Sequence, residues 1–232
     1  MDNILTVNGV SKSFGDKKII DNVSFCIEPN KIVGLLGKNG CGKTTIIKMI
    51  NDLLTIDSGE IKVCGENIGV QSKSMISYLP ERTYLDSSAT VQEIIDYFAD
   101  FYKDFDIEKA NKLLKDLDLQ PTNSLSKMSK GMKEKIQLVL VISRHAKLYI
   151  LDEPLGGVDP KTRDYIMHTI LSNFDEGSSM LITTHLISDI EKILDDVIFI
   201  DAGKIVLIDN ADRLRENENA SISNIFVRRI KW

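Results

Sequence analysis

Nothing in this chain of 232 residues is long and apolar enough to cross a membrane. The longest uncharged apolar stretch lies near residues 136–143, far short of the ~20 residues a spanning helix needs. Any work at a membrane therefore requires a partner that supplies the span. Cysteine is scarce: Cys26, Cys41 and Cys64 are odd in number, scattered and without C-x-x-C spacing. That excludes a disulfide framework and a thiolate metal site, and it reads as free thiols in a reducing cytoplasm. Positive charge is short as well. Lys and Arg number 29 against 34 Asp and Glu, a net charge of -5, so no broad basic surface for nucleic acid is on offer. Asp2 and Asn3 stand where the basic region of a secretory leader would sit, and no such leader is expected. What remains, 43% hydrophobic and 27% charged, is an ordinary globular composition with ample length for a core.

One stretch stands apart from that background. Gly37-Lys38-Asn39-Gly40-Cys41-Gly42-Lys43-Thr44 fits the phosphate-loop pattern G-x-x-x-x-G-K-[ST], which carries meaning only between a strand and a helix. Both flanks comply, with an apolar run at 31–36 and a helix-period run at 45–50. Glycines let successive N–H groups turn inward as an anion nest, and the helix aims its positive end at the same place. Lys43 would then reach the β- and γ-phosphates, and the Thr44 hydroxyl would hold Mg²⁺. Cys41 lies between two glycines, so modifying its thiol is expected to crowd the phosphates, with ATP protecting it. Its presence there is otherwise explained by its small size.

Residues 4–10 and 23–28 alternate like strands around a turn at 13–18. Phe14, beside that turn, is either a ring that stacks on adenine or a core aromatic at a strand end. Residues 57–59 predict a turn and 60–64 a strand. The apolar run 75–79 stops at Pro80, which puts Glu81 at a strand end, where open α/β folds bind ligands. Thr90 to Glu93 form a capping box opening an amphipathic helix through Tyr102. Residues 106–117 give a second helix with Leu113, Leu114 and Leu117 on one face. Pro121 breaks it, and Ser129 caps a third helix to about Arg144. Roughly residues 84–144 thus hold no convincing strand and read as a helical insertion, with Phe98, Phe101, Tyr102 and Phe105 as its own small core.

Residues 148–151 suit a central parallel strand ending in Asp152-Glu153. Two carboxylates at a buried strand end are costly unless a cation or a reaction uses them, and a capped turn explains one acid better than two. Asp159 is placed as an N-cap with Pro160 as the first helical residue. Residues 180–185 form the next buried strand, ending on His185, which is either structural or in touch with the ligand. Residues 197–201 and 204–208 predict a hairpin, Asn210 caps a last polar helix, and residues 216–232 carry no assigned role.

In this order the pieces resemble the ATP-binding subunit of an ABC transporter, nearest to the multidrug and antibiotic exporter branch, up to about residue 210. Residues 37–45 match Walker A, 148–152 match Walker B, and Glu153 stands at the catalytic glutamate. Val158-Asp159 is similar to the D-loop, His185 to the switch histidine, and residues 128–132 to the signature. Lys130 and Met132 replace the family's Gly and Gln, and Glu81 replaces its Q-loop glutamine, variants similar to those of exporters.

The resemblance implies an α/β fold: a P-loop NTPase core, RecA-like with a mostly parallel sheet, plus an N-terminal antiparallel β subdomain and an inserted α-helical subdomain. Residues 1–232 would be one ABC-type ATPase domain, with 1–84 and 145–210 as core, 85–144 as the helical subdomain and 211–232 as a tail. The implied ligands are ATP and Mg²⁺. Lys43, Glu153 and His185 would be catalytic. Gly37, Lys38, Asn39, Gly40, Cys41, Gly42, Lys43, Thr44 and Thr45 would surround the phosphates, and Phe14 the base. Ser129 and Gly131 would complete the site of a second ATPase subunit in a head-to-tail dimer. Thr44, Glu81 and Asp152 would face the metal. The other implied partner is a separate transmembrane permease, contacted around residues 81–86. No nucleic acid is implied, and the location is cytoplasmic, on the inner face of the cell membrane. A soluble ATP-dependent machine of the same fold is the alternative, but no second cassette, long coiled coil or basic tract is present. A nucleotide sensor without turnover is a third, and Glu153 with His185 argue against it.

Overall fold

Strands β1 (Leu5–Phe14) and β2 (Lys17–Ile27) pair antiparallel in the computed structural model, which describes residues 2–155, 160–172 and 176–230. β3 (Ile32–Leu36) is buried throughout and leads through the glycine-rich loop into helix α1 (Lys43–Ile50). β4 (Ser58–Val63) pairs with β1, and β5 (Glu66–Asn67) completes a four-stranded antiparallel sheet in the order β2-β1-β4-β5. Ser58 and Gly59, expected in a turn, already belong to β4, and Cys64 turns out of it with φ 50. Helix α2 (Val70–Met75) was not anticipated; it claims Met75, so β6 begins one residue later (Ile76–Leu79).

Three helices follow: α3 (Val91–Phe101), α4 (Ile107–Asp116) and α5 (Lys130–Ile142). The capping box is reciprocal, the Glu93 N–H donating to Thr90 Oγ1 at 3.3 Å and the Thr90 N–H to Glu93 Oε2 at 2.7 Å. Asp106 and Ser129 cap the other two helices. The expected four-ring core needs correction. Phe98 is buried, and Tyr102 and Phe105 pack on it, but Phe101 is 65% exposed and stacks on Tyr97. Tyr102, at the helix end, takes the place over Phe98, which leaves Phe101 beyond the edge of the apolar stripe.

Arg144 ties the end of α5 to the edge strand β6. It is buried, donates to Asp104 through Nε (3.1 Å) and Nη2 (3.0 Å) and to the Ser74 and Ile76 carbonyls, and lies 3.8 Å over the Tyr102 ring. Ser77 Oγ adds a bond to the Val141 carbonyl at 2.8 Å.

β7 (Leu148–Asp152), α6 (Pro160–Ser172), β8 (Ser179–Thr184), the short α7 (Ile187–Ile190), β9 (Asp196–Asp201) and β10 (Lys204–Asn210) complete a six-stranded sheet. Its order is β10-β9-β3-β8-β7-β6, parallel except for β10. Leu36 pairs with Thr184 and Asp152 with Thr183, so the C-terminal ends of β3, β8 and β7 stand level. β3 sends Ile32 and Leu36 into one apolar cluster with the helices, and Val33 and Leu35 into another with the antiparallel sheet and α1. Val158 and Asp159, expected as D-loop and N-cap, lie outside the described residues. Asn210 caps α8 (Ala211–Glu218) as expected, and a further helix, α9 (Ile222–Arg229), follows. Ile222, Ile225 and Phe226 are buried, and Phe226 meets Phe199 of β9 edge-on at 5.3 Å. The stretch left without a role covers core.

Candidate active site

Residues 37–42 turn from β3 into α1 above the sheet end. Packing demands glycine at two places. A Cβ on Gly37 would stand 2.4 Å from Cys41 Sγ and 2.6 Å from the Ile200 carbonyl; one on Gly42, at φ 115, would come within 2.4 Å of Ile20 Cδ1. No side chain caps α1 at Gly42, which leaves its first-turn amides to a ligand. Lys43 is buried and folds back, its Nζ donating to the carbonyls of Gly37 at 2.7 Å and Lys38 at 3.2 Å. Bound phosphate would offer it charged partners instead.

A cavity of about 650 Å³ opens between this loop and the ends of β7 and β8. Asn39, Gly40, Gly42, Lys43, Thr44 and Thr45 line it; Gly37, Lys38 and Cys41 do not. Cys41 corrects an expectation. Its thiol is buried in the apolar cluster under the loop, and burial pushes the thiol pKa up. Access and thiolate character both work against labelling there.

Asp152 and Glu153 line the same cavity. Asp152 is 1% exposed and accepts from Thr183 Oγ1 on Oδ1 at 2.5 Å. Burial raises its carboxyl pKa; the Thr183 and Thr44 hydroxyls oppose that, and the charges of Glu153 and Glu81 add to it. Glu153 sits at φ 53, an uncommon backbone for a non-glycine residue. Its N–H donates to the Thr183 carbonyl at 3.0 Å. Its Oε2 meets His185 Nδ1 at 2.8 Å and accepts from the His185 N–H at 3.2 Å. The sheet register brings these residues together across 32 positions. Thr183, which touches both acids, was not singled out in the sequence, although its place two residues before His185 was a usable signal.

This corner suits a hard divalent cation. Asp152 Oδ2 finds no hydrogen-bond partner among the described residues, and the Thr44 hydroxyl interacts with the same carboxylate. Carboxylate and hydroxyl oxygens are magnesium donors, with phosphate and water completing the shell. Among the described residues no group of three or more His, Cys, Asp or Glu side chains could hold a metal by itself. Glu81 lines the cavity and is exposed.

The remaining expected residues lie elsewhere. Phe14 ends β1, 53% exposed and off the cavity, with Lys12 Nζ 5.7 Å from its ring centroid. It is no core aromatic, since about half of its surface meets solvent. Ser129 caps α5 and Gly131 has open space where a Cβ would stand; neither lines the chain's own cavity. Lys130, Glu134 and Gln137 of α5 do line it, and only the first had drawn notice in the sequence.

A family profile described as ABC transporter matches residues 20–156. Linearmycin resistance ATP-binding protein LnrL of Bacillus subtilis is 30% identical over 213 residues, covering 88% of this chain and 68% of that protein. Nod factor export ATP-binding protein I of Cupriavidus metallidurans is 29% identical over 223 residues, covering 93% and 74%. A solved structure described as the ATP binding subunit of an ABC transporter matches with a TM-score of 0.90 at 25% identity, covering 98% of this chain and 100% of that one.

Proposed function

This chain belongs to the ABC transporter family of ATP-binding domains, and from that membership we propose that it hydrolyses Mg-ATP to drive export through a separate membrane-spanning subunit. The observation that carries the reading is the Glu153–His185 pair at 2.8 Å, on strand ends level with the phosphate loop. The loop amides and Lys43 hold the phosphates. Thr44 and Asp152 would hold a magnesium ion, which would offset negative charge on the phosphates. Glu153, with Oε2 engaged by His185, presents its other oxygen to the attacking water and takes its proton. His185 keeps that carboxylate aimed and reaches the γ-phosphate. Ser129 and Gly131 complete the site of a second copy, whose approach the open space at Gly131 allows.

No helix among the described residues is long and apolar enough to cross a membrane. In this reading the chain rides on the inner membrane face through its permease. A groove of about 1070 Å³ between the α1 side and α3 supports that contact, since Leu53, Tyr84, Tyr97 and Phe101 line it and are more than half exposed. It includes residues 82–86, and the helical block 85–144 would carry motion from nucleotide to permease. Outward transport follows the export and resistance functions named for the two relatives.

The test is phosphate release from ATP by the purified chain, with and without Mg²⁺, beside Lys43→Ala. Magnesium-dependent release that Lys43→Ala abolishes, along with most ATP binding, is the expected result. Near-normal nucleotide affinity in that variant would remove the loop from its role.

A further inference from the structure

Four buried side-chain polar atoms find no hydrogen-bond partner among the described residues, and three of them belong to residues lining the phosphate-loop cavity: Glu134 Oε2, Gln137 Nε2 and Asp152 Oδ2. A buried polar atom left unpaired carries its full desolvation cost, and such a group in a folded protein calls for an explanation. The metal site accounts for Asp152. Gln137 stands outside every motif of the chain.

Gln137 is 2% exposed, in the middle of α5. Its Oε1 accepts the hydroxyl of Thr83. Thr83 lies two residues after Glu81, on the segment leaving β6, and both line the cavity. One side chain therefore joins the helix capped by Ser129 to the segment where glutamate stands in place of the family's glutamine. That segment is irregular and holds Glu81 exposed, so a fixed tether at Thr83 decides where Glu81 can point.

We infer that Gln137 is a positioning residue for ATP hydrolysis: through Thr83 it sets the Glu81 segment against α5. The inference rests on the reading of this cavity as an ATP-hydrolysing site. Both ends of the tether lie within the chain's own cavity, so the effect is on turnover in cis.

The test uses the full chain with Gln137→Leu, Thr83→Val and the double variant, each measured for ATP affinity, kcat and thermal midpoint. Each single variant should lose about tenfold in kcat while ATP affinity moves by less than about threefold. The double variant should be no slower than the slower single one, because both cut the same link. Its midpoint should match that of the wild type, since both ends of a part-buried polar contact become apolar groups of similar shape. Slow turnover in an undiminished fold is what a merely structural role would not produce. Unchanged kcat in either single variant, losses that multiply to about a hundredfold in the double, or a midpoint that falls in step with kcat would each overturn the inference. Wild-type chain that releases no phosphate with Mg²⁺ would overturn the functional reading itself, and the inference with it.

Discussion

Replacing Glu153 with glutamine separates the proton from the shape. The Glu153 carboxylate engages His185 Nδ1 at 2.8 Å and the His185 N–H at 3.2 Å, and a glutamine carboxamide can place its oxygen in the same position. His185 is half exposed, so exchanging a charged acceptor for a neutral one there should change stability by no more than about 1 kcal/mol. What disappears is the basic oxygen. A positioned general base contributes roughly 10²–10⁴-fold, which is about 3–5 kcal/mol of barrier. ATP affinity should hold or tighten, because the loop amides and Lys43 are untouched and one negative charge near the phosphates is gone. Steady-state phosphate release, nucleotide titration and a thermal melt on one preparation read all three quantities. A kcat within about threefold of wild type would refute Glu153 as base; so would a kcat loss matched by an equal loss of fold stability.

Gly131→Asp adds a side chain into space that is empty within one chain. ATP affinity of the single chain should stay within about twofold while hydrolysis is lost, because the charge meets the second copy's phosphates. Retained hydrolysis would mean that α5 completes no composite site. For Asp152, burial raises the carboxyl pKa in the folded chain. Its ionisation therefore costs stability as pH rises from the ordinary carboxylate range through that raised value, and costs nothing below it. Metal-free Asp152→Asn, melted across pH, should be the more stable protein at pH 7, with the gain vanishing toward about pH 4; a gain that grows on acidification would reverse the sign argued here. Among the thiols, Cys26 is exposed while Cys41 is buried with a raised pKa. Mass-spectrometric labelling at neutral pH should find Cys26 first and Cys41 slowly, with or without ATP, and equal rates would contradict the buried placement.

The strands that carry the site are legible from sequence because each is built on a short apolar run, as strands covered on both faces must be. Helix caps at Thr90, Ser129 and Asn210 are legible because capping is a local contest between side chain and backbone. Contacts between distant residues are not. Glu153 finds His185 only through the pairing of Asp152 with Thr183, and the chain gives no local sign of that register. Gln137 was hidden inside an apolar run, where one amide reads as noise until its neighbours prove buried. Short α2 has no apolar period, and its Val70 is 89% exposed. The spacing Ile222, Ile225, Phe226 was a readable helical face, obscured by the charged stretch before it. The direction of Cys41 depends on the backbone of Gly40 and Gly42, both at positive φ.

The central claim is that ATP is cleaved where the phosphate loop, Asp152 and Glu153 converge, with a second copy closing the site. The most direct measurement is a structure of Glu153→Gln with Mg-ATP. It should place the γ-phosphate against Lys43 and His185, the metal on Thr44 and Asp152, and Ser129 and Gly131 of a second copy over the nucleotide. A nucleotide bound with its γ-phosphate away from residue 153, or sealed within a single chain, would contradict the account.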